Sequence, residues 1–217
     1  MKHEKIFLNK EKSKILARIV AHLMGDGCVT HKYLRYNNKD KLLLKNFKNY
    51  LSKLFLNLHF IRGKVNSGTS FIQIQNKDLI SFLFKLVNDF RSENLEFPRF
   101  IRTKSMKREF ISAVFDDEGC VGLRTFKKTG EIKRNLEIAS KSKKFMEEIK
   151  LILEREFDVK SNKIISFKKN INEKEFVTFK LSITGKENFI NFDKEIGFTH
   201  PQKNVMLKEM ISSYIRK

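Results

Sequence analysis

The sequence predicts an α+β protein built as two pseudo-symmetric halves, each running helix, two strands, helix, two strands, helix. Three observations predict it. A short motif occurs twice, the same order of helical and strand periodicities follows each copy, and 217 residues suffice for two cores of about 100 residues each. The repeated motif is IVAHLMGDGCV at 19–29 and ISAVFDDEGCV at 111–121, so the copies lie 92 positions apart, close to half the chain. Both run apolar, then acid, Gly, Cys, Val.

Each motif closes a helix. In the first half, Ser13 is the expected N-cap, Ile15, Leu16, Ile19, Val20 and Leu23 recur at helical spacing, and Gly27 is the expected left-handed stop. In the second, Ser105 is the expected cap, Phe110, Ile111, Val114 and Phe115 form the stripe, and Gly119 stops it. Asp26 and Glu118 therefore hold equivalent places, one residue before a helix-ending glycine.

Residues 29–37 and 121–139 read as hairpins, the second with Gly130 in its turn and alternation through Ile132, Leu136 and Ile138. Helical stretches follow at 42–56 and 142–156, the latter with Phe145, Ile149, Ile152 and Leu153 on one face. A second hairpin contains residues 71–75 in one half and 177–183 in the other. Its alternation sets Ile72, Ile74, Val177, Phe179 and Leu181 toward helices, and Gln73, Gln75, Thr178, Lys180 and Ser182 on an opposite face expected to be polar and basic. Helices at 77–90 and 186–196 close the halves, and an appended helix starts near Pro201. The join falls within 91–104, around Pro98, dividing the chain into halves 1–95 and 96–217.

The composition points to a polyanionic partner. There are 45 Lys+Arg against 25 Asp+Glu, a net charge of +20. An AT-rich genome would inflate lysine codons without any function, but it would raise glutamate as well, and here the acids lag. Excess cationic side chains gain affinity for phosphates by counterion release, so nucleic acid is the partner class expected. The sequence has no apolar run of membrane-spanning length and its first residues lack a signal-like stretch. The two cysteines, Cys28 and Cys120, make neither a disulfide scaffold nor a four-ligand zinc site. A cytoplasmic or organellar protein, neither secreted nor membrane-bound, is the expectation.

An acid at a helix C-terminus faces the negative end of the dipole and is poorly placed for structure alone. When it recurs at a matched position, something rewards negative charge there, and a hard divalent cation held by carboxylate and carbonyl oxygens would do so. Ala17, Ala21 and Gly25 form a small-residue row, with Ala113 matching Ala21. Such a row lets two helix backbones approach and would bring Asp26 and Glu118 together near a pseudo-twofold axis, although alanines packing in an ordinary core would look the same.

The two segments resemble the LAGLIDADG motif of homing endonucleases in the single-chain form with two motifs, and the resemblance runs from residue 12 to about 210. Residues 97–101, FPRFI, and 197–201, GFTHP, are similar to segments of archaeal and intein-type members. The resemblance implies two αββαββα halves whose antiparallel strands form a saddle over the DNA major groove. It implies a monomeric, site-specific endonuclease that cuts both strands of a long, partly asymmetric duplex target. Mg²⁺ would be bound by Asp26 and Glu118, with the carbonyls of Gly25 and Asp117 as further ligands and Mn²⁺ or Ca²⁺ able to substitute. Asn38, Ser140 and Lys141 match the polar or basic residues around the metals, and a solvated-surface reading fits these three equally well. Three positions depart from the motif: Met24 stands where Asp is frequent, His22 where an apolar residue is usual, and Asp117 where a small one is. Asp117 is expected either to loosen the helix pair or to place a carboxylate at its edge.

Counting by alternation from the acids sets Thr30, Lys32 and Leu34 outward in the first half, and Gly122, Arg124 and Phe126 in the second, with Lys128 at a hairpin tip. Arg62, Lys64, Gln73, Gln75, Lys168, Thr178 and Lys180 are the candidates in the second hairpins. Arg and Gln suit base edges, and most Lys suit phosphates. The alternative function is an RNA maturase that uses the same surface on its host intron RNA. A DNA-binding regulator without nuclease activity is a third reading, disfavoured because the two halves leave no room for an added recognition domain.

Overall fold

The computed structural model describes residues 9–65, 68–171 and 174–214. The first half comprises α1 (Lys10–Met24), β1 (Gly27–Val29), β2 (Leu34–Asn38), α2 (Lys41–Leu54), β3 (Ile61–Lys64), β4 (Ser70–Ile74) and α3 (Lys77–Leu86). The second comprises α4 (Lys104–Glu118), β5 (Cys120–Thr125), β6 (Ile132–Ser140), α5 (Lys143–Phe157), β7 (Ile165–Ile171), β8 (Lys174–Ile183) and α6 (Lys186–Glu195), followed by α7 (Pro201–Ser212). Each half forms one antiparallel sheet, in the orders β1-β2-β4-β3 and β5-β6-β8-β7. The expected repeat is present in both halves. No helix among the described residues is long and apolar enough to cross a membrane.

The two halves meet along α1 and α4. Ala17, Ala21 and Ala113 are fully buried there, and a Cβ added at Gly25 would lie 3.0 Å from Cβ of Asp117. The small-residue row therefore does set the helix spacing, and Asp117 packs into the pair instead of loosening it. One continuous hydrophobic core runs through both halves, from Leu16 and Phe47 to Phe189 and Met210.

Several local expectations need correction. Asn9, not Ser13, caps α1, its side chain accepting from the N–H of Lys12 at 2.9 Å. Thr103, not Ser105, caps α4. α3 ends at Leu86 rather than Phe90. Neither Gly27 nor Gly119 is a left-handed stop: α1 is capped by Gly25, and Gly119 has extended backbone, φ −78° and ψ 146°. Close approach is what requires glycine, since an added Cβ would sit 2.4 Å from the Leu23 carbonyl oxygen at Gly27 and 2.3 Å from the Phe115 oxygen at Gly119. The chain turns from helix into strand so sharply that no side chain fits at the corner.

The segment before α7 is tied to α4. Asp116 Oδ1 accepts from the backbone N–H groups of Thr199 and His200 at 2.8 and 2.9 Å, and the Ser112 hydroxyl donates to the Gly197 carbonyl. Arg18 of α1 reaches across to Glu109, Thr199 and Ser112.

Candidate nucleic-acid interface and acidic centre

Asp26 and Glu118 leave the C-terminal ends of the paired helices on the same side. Each is open to solvent outward yet crowded by protein on its other faces. Partial removal from water, then the neighbouring carboxylates, pushes Asp26 up to about 6 and Glu118 to about 7. Asp26 feels Asp117, and Glu118 feels both Asp26 and Asp117, so the three acids share one field, as the helix pairing predicts.

Asn38 joins Asp26 at the end of β2. Its amide nitrogen donates to Asp26 Oδ2 at 3.0 Å and to the Tyr36 hydroxyl oxygen at 3.0 Å. The backbone and side-chain N–H groups of Asn37 both donate to the Asp26 carbonyl. In the second half Ser140 holds the equivalent place and accepts from the N–H of Ser142 at 3.2 Å, as Asn38 Oδ1 accepts from that of Asp40 at 2.8 Å, but it has no amide nitrogen to donate onward. Lys141 lies beside it with its ammonium 5.6 Å from the Phe176 ring centroid, and both line a cavity of about 260 Å³ that Glu118 also borders.

Lys203 of α7 has no counterpart in the sequence reading. Its ammonium donates to the carbonyls of Phe115, Asp116 and Asp117 at 3.2, 2.5 and 3.4 Å, placing a cation on the negative end of α4. Burial lowers its pKa, opposed by Asp116, Asp117 and Asp26. It lies on the appended helix, outside the repeat, where no periodicity could single it out. The Asp117 carbonyl, expected as a metal ligand, therefore faces an ammonium group.

Do these residues fit a divalent cation? The described residues contain no group of three or more His, Cys, Asp or Glu arranged to hold a metal, so a cation wrapped by protein ligands alone does not fit. Two adjacent carboxylates whose protons are held unusually tightly do fit Mg²⁺, which takes one or two carboxylates and completes its shell with water and phosphate.

The strand registers fix which side chains face away from the helices, because directly paired residues share a face. Cys28 pairs with Arg35, Arg35 with Gln73, and Gln73 with Ile61, so the outer face of the first sheet carries these residues together with Asn37 and Phe71. Leu34, expected outward, is fully buried. The turn at Thr30–Tyr33 pairs even-numbered residues with odd-numbered ones, so counting straight through it inverts the face. Thr30 is a turn residue whose hydroxyl donates to the Tyr33 carbonyl, and Lys32 is exposed at the tip. Arg62 pairs with Ile72 and Lys64 with Ser70, which sets both on the helix side at the sheet edge. Gln73 is on the outer face but only 8% exposed, since its Oε1 accepts from Arg35 Nε and Nη2 at 2.9 and 2.6 Å. Gln75 is exposed just past β4.

In the second sheet Gly122, Arg124, Thr178 and Lys180 do face outward, and Phe126 and Lys128 are exposed at the hairpin tip. Lys168 pairs with Val177 and so lies on the helix side, where it meets Glu175. Arg35, Lys133 and Lys169, none of them among the residues expected outward from the sequence, also lie on the outer faces by register. The face expected to be polar and basic is also partly apolar, for Ile165, Phe167 and Phe176 are 47%, 48% and 38% exposed there. Cys28 and Cys120 are free thiols.

Residues 105–197 match the LAGLIDADG-like domain. Over 193 residues, 87% of the chain, the sequence is 32% identical to a probable translation initiation factor IF-2 of Methanocaldococcus jannaschii, of which it spans 15%. A replication factor C small subunit and a glutamine–fructose-6-phosphate aminotransferase from the same organism are matched over 11% and 17% of their lengths. The chain thus spans less than a fifth of each of these relatives. A crystal structure of I-DmoI in complex with DNA and Ca superposes with a TM-score of 0.63 at 16% identity, covering 92% of this chain and 100% of that one. Full-length DUF199/WhiA from Thermatoga maritima gives 0.61 at 12% identity, over 95% and 62%. The chain carries a LAGLIDADG-like domain and has the two-motif fold of the homing endonuclease I-DmoI.

Proposed function

We propose that the chain is a metal-dependent, site-specific DNA endonuclease that cuts both strands of a duplex as a monomer. The observation that carries this reading is the pair of acids, Asp26 and Glu118, at the joined ends of α1 and α4, each with its proton affinity raised by burial and by acidic neighbours. Mg²⁺ held there would polarise a phosphate and lower the pKa of an attacking water. The protein's own residues do the rest: Asp26 and Glu118 bind, Asn38 orients Asp26, Lys203 offsets surplus charge, and the outer strand faces hold the duplex. Arg35, Arg124, Lys133 and Lys180 would meet phosphates or base edges there.

The I-DmoI structures bound to DNA support the DNA partner. The curated relatives support a mobile element: three proteins of unrelated names each carry a segment similar to nearly all of this chain, as expected if the segment moves among hosts. The test is selection of cleaved molecules from a duplex library in Mg²⁺. One recurring, discretely cut sequence is expected, lost with Asp26→Asn and with Glu118→Gln. No cut sequence, or undiminished cutting by either variant, would refute the reading.

The RNA maturase reading gains one observation. Exposed Phe167 and Phe176 offer flat apolar surface to unpaired bases. Splicing of the host intron with and without the protein separates the two readings.

A further inference from the structure

Three matched positions carry different chemistry in the two halves. His22 of α1 corresponds to Val114 of α4, Gly25 to Asp117 and, by strand register, Tyr36 to Ile138. The three polar members of these pairs meet at one place. Asp117 crosses from the second half into the first, its Oδ2 2.9 Å from His22 Nδ1 and its Oδ1 accepting from the Tyr36 hydroxyl at 2.6 Å. A carboxylate only accepts, so the imidazole nitrogen donates. The ring of His22 is packed against those of Tyr36, Phe47 and Tyr50. Its side chain and that of Asp117 are 1% and 0% exposed.

This network ends on the acidic centre. The same amide nitrogen of Asn38 that donates to Asp26 also donates to Tyr36 and lies 3.4 Å from Asp117 Oδ1. In the second half the corresponding space is a cavity of about 260 Å³ bordered by Gly25, Val114, Glu118, Ile138, Ser140 and Phe145. Gly25 sends no side chain across, Val114 and Ile138 have no polar atoms to receive one, and among the described residues no side chain donates to Glu118.

We propose that Asp117, fixed by His22 and Tyr36, is a positioning residue for the first half's site: it sets Asn38, and through Asn38 the Asp26 carboxylate. The second motif thereby orders the ligand of the first, while Glu118 is left unbraced. Buried polar contacts of this kind hold a ligand in one orientation, and their loss typically costs metal affinity about 10- to 100-fold. The inference rests on the metal-site reading above.

The test is Mn²⁺ binding to the whole chain, followed by electron paramagnetic resonance. Asp26→Asn and Glu118→Gln assign each bound ion to its acid. Tyr36→Phe keeps the ring and every charge and removes one hydroxyl; Asn38→Ser gives the first half the residue of the second. Urea unfolding is measured on all four variants. Both Tyr36→Phe and Asn38→Ser are expected to weaken the Asp26 ion by about tenfold or more and to leave the Glu118 ion unchanged. An unchanged Asp26 ion in Tyr36→Phe, or an equal weakening at both acids in step with lost stability, overturns the positioning role and leaves the metal reading standing. Mn²⁺ binding that neither acid substitution alters overturns both.

Discussion

The two halves share strand order and helix placement, yet matched positions carry opposite chemistry. On the outer face Arg35 corresponds to Glu137, Asn37 to Ala139 and Phe71 to Lys180. Arg35 is held by Gln73 and stacks 4.4 Å from the Phe71 ring centroid. Glu137 instead receives Lys180 at 3.1 Å and Ser182 at 2.9 Å. At the centre Asp26 is braced and Glu118 is not. The frame is repeated where backbone contact demands it, at the glycine corners and where Ala21 and Ala113 meet in the helix pair, and the chemistry diverges where side chains alone decide. Two unlike halves suit a target whose half-sites differ in sequence.

Removing either acid should disable both halves at once. Asp26→Asn or Glu118→Gln is expected to lower double-strand cleavage on the order of a thousandfold or more, since metal stabilisation of transition-state charge is worth several kcal/mol. Linearisation of a plasmid bearing the selected target measures it. Cutting that survives either change would mean the halves do not both need their acid.

The corners come next. Gly27→Ala and Gly119→Ala are each expected to cost about 1–3 kcal/mol, as a Cβ forced into filled space does, and chemical denaturation reads the loss. Leu34→Ala, in the core, should cost about 2–5 kcal/mol, whereas Lys32→Ala at the tip should stay within about 0.5 kcal/mol.

Arg35 and Glu137 sharpen the outer-face contrast. Arg35→Ala is expected to weaken duplex binding and reduce the salt slope by about 1, and Glu137→Gln to strengthen binding. Titrations at several salt concentrations test both signs.

The same two acids also make stability depend on pH. Acids raised to about 6 and about 7 keep protons that the unfolded chain releases near pH 4. Between about pH 4 and pH 7 the folded state therefore holds more protons, so stability falls as pH rises through that window. Asp26→Asn should remove the part centred near 6 and Glu118→Gln the part near 7, and Mg²⁺ should oppose the fall by binding the ionised acids. Urea unfolding across pH, with and without Mg²⁺, checks this.

The repeat made the architecture legible in the sequence, because two copies of one pattern support each other at every element. The placement of Asp26 and Glu118 at matched helix ends was legible for the same reason. Leu34 was misplaced because face assignment depends on register across a turn, and parity within one strand does not supply it; Arg62, Lys64 and Lys168 were candidates with no face assigned, and register sets them on the helix side. Thr103 and Asn9 were missed as caps because several polar residues precede each helix and only geometry chooses among them. His22 and Asp117 were visible as odd residues, but their contact joins positions 95 apart in sequence. Lys203 carried no sequence signal of any kind.

A crystal structure of the chain with its selected duplex and Ca²⁺ shows whether the paired acids hold metal against DNA. Cations are expected on Asp26 and Glu118, with the strand face carrying Arg35 and Lys180 turned into the DNA groove. Cations absent from both acids, or a duplex lying against the helices instead, would contradict this expectation.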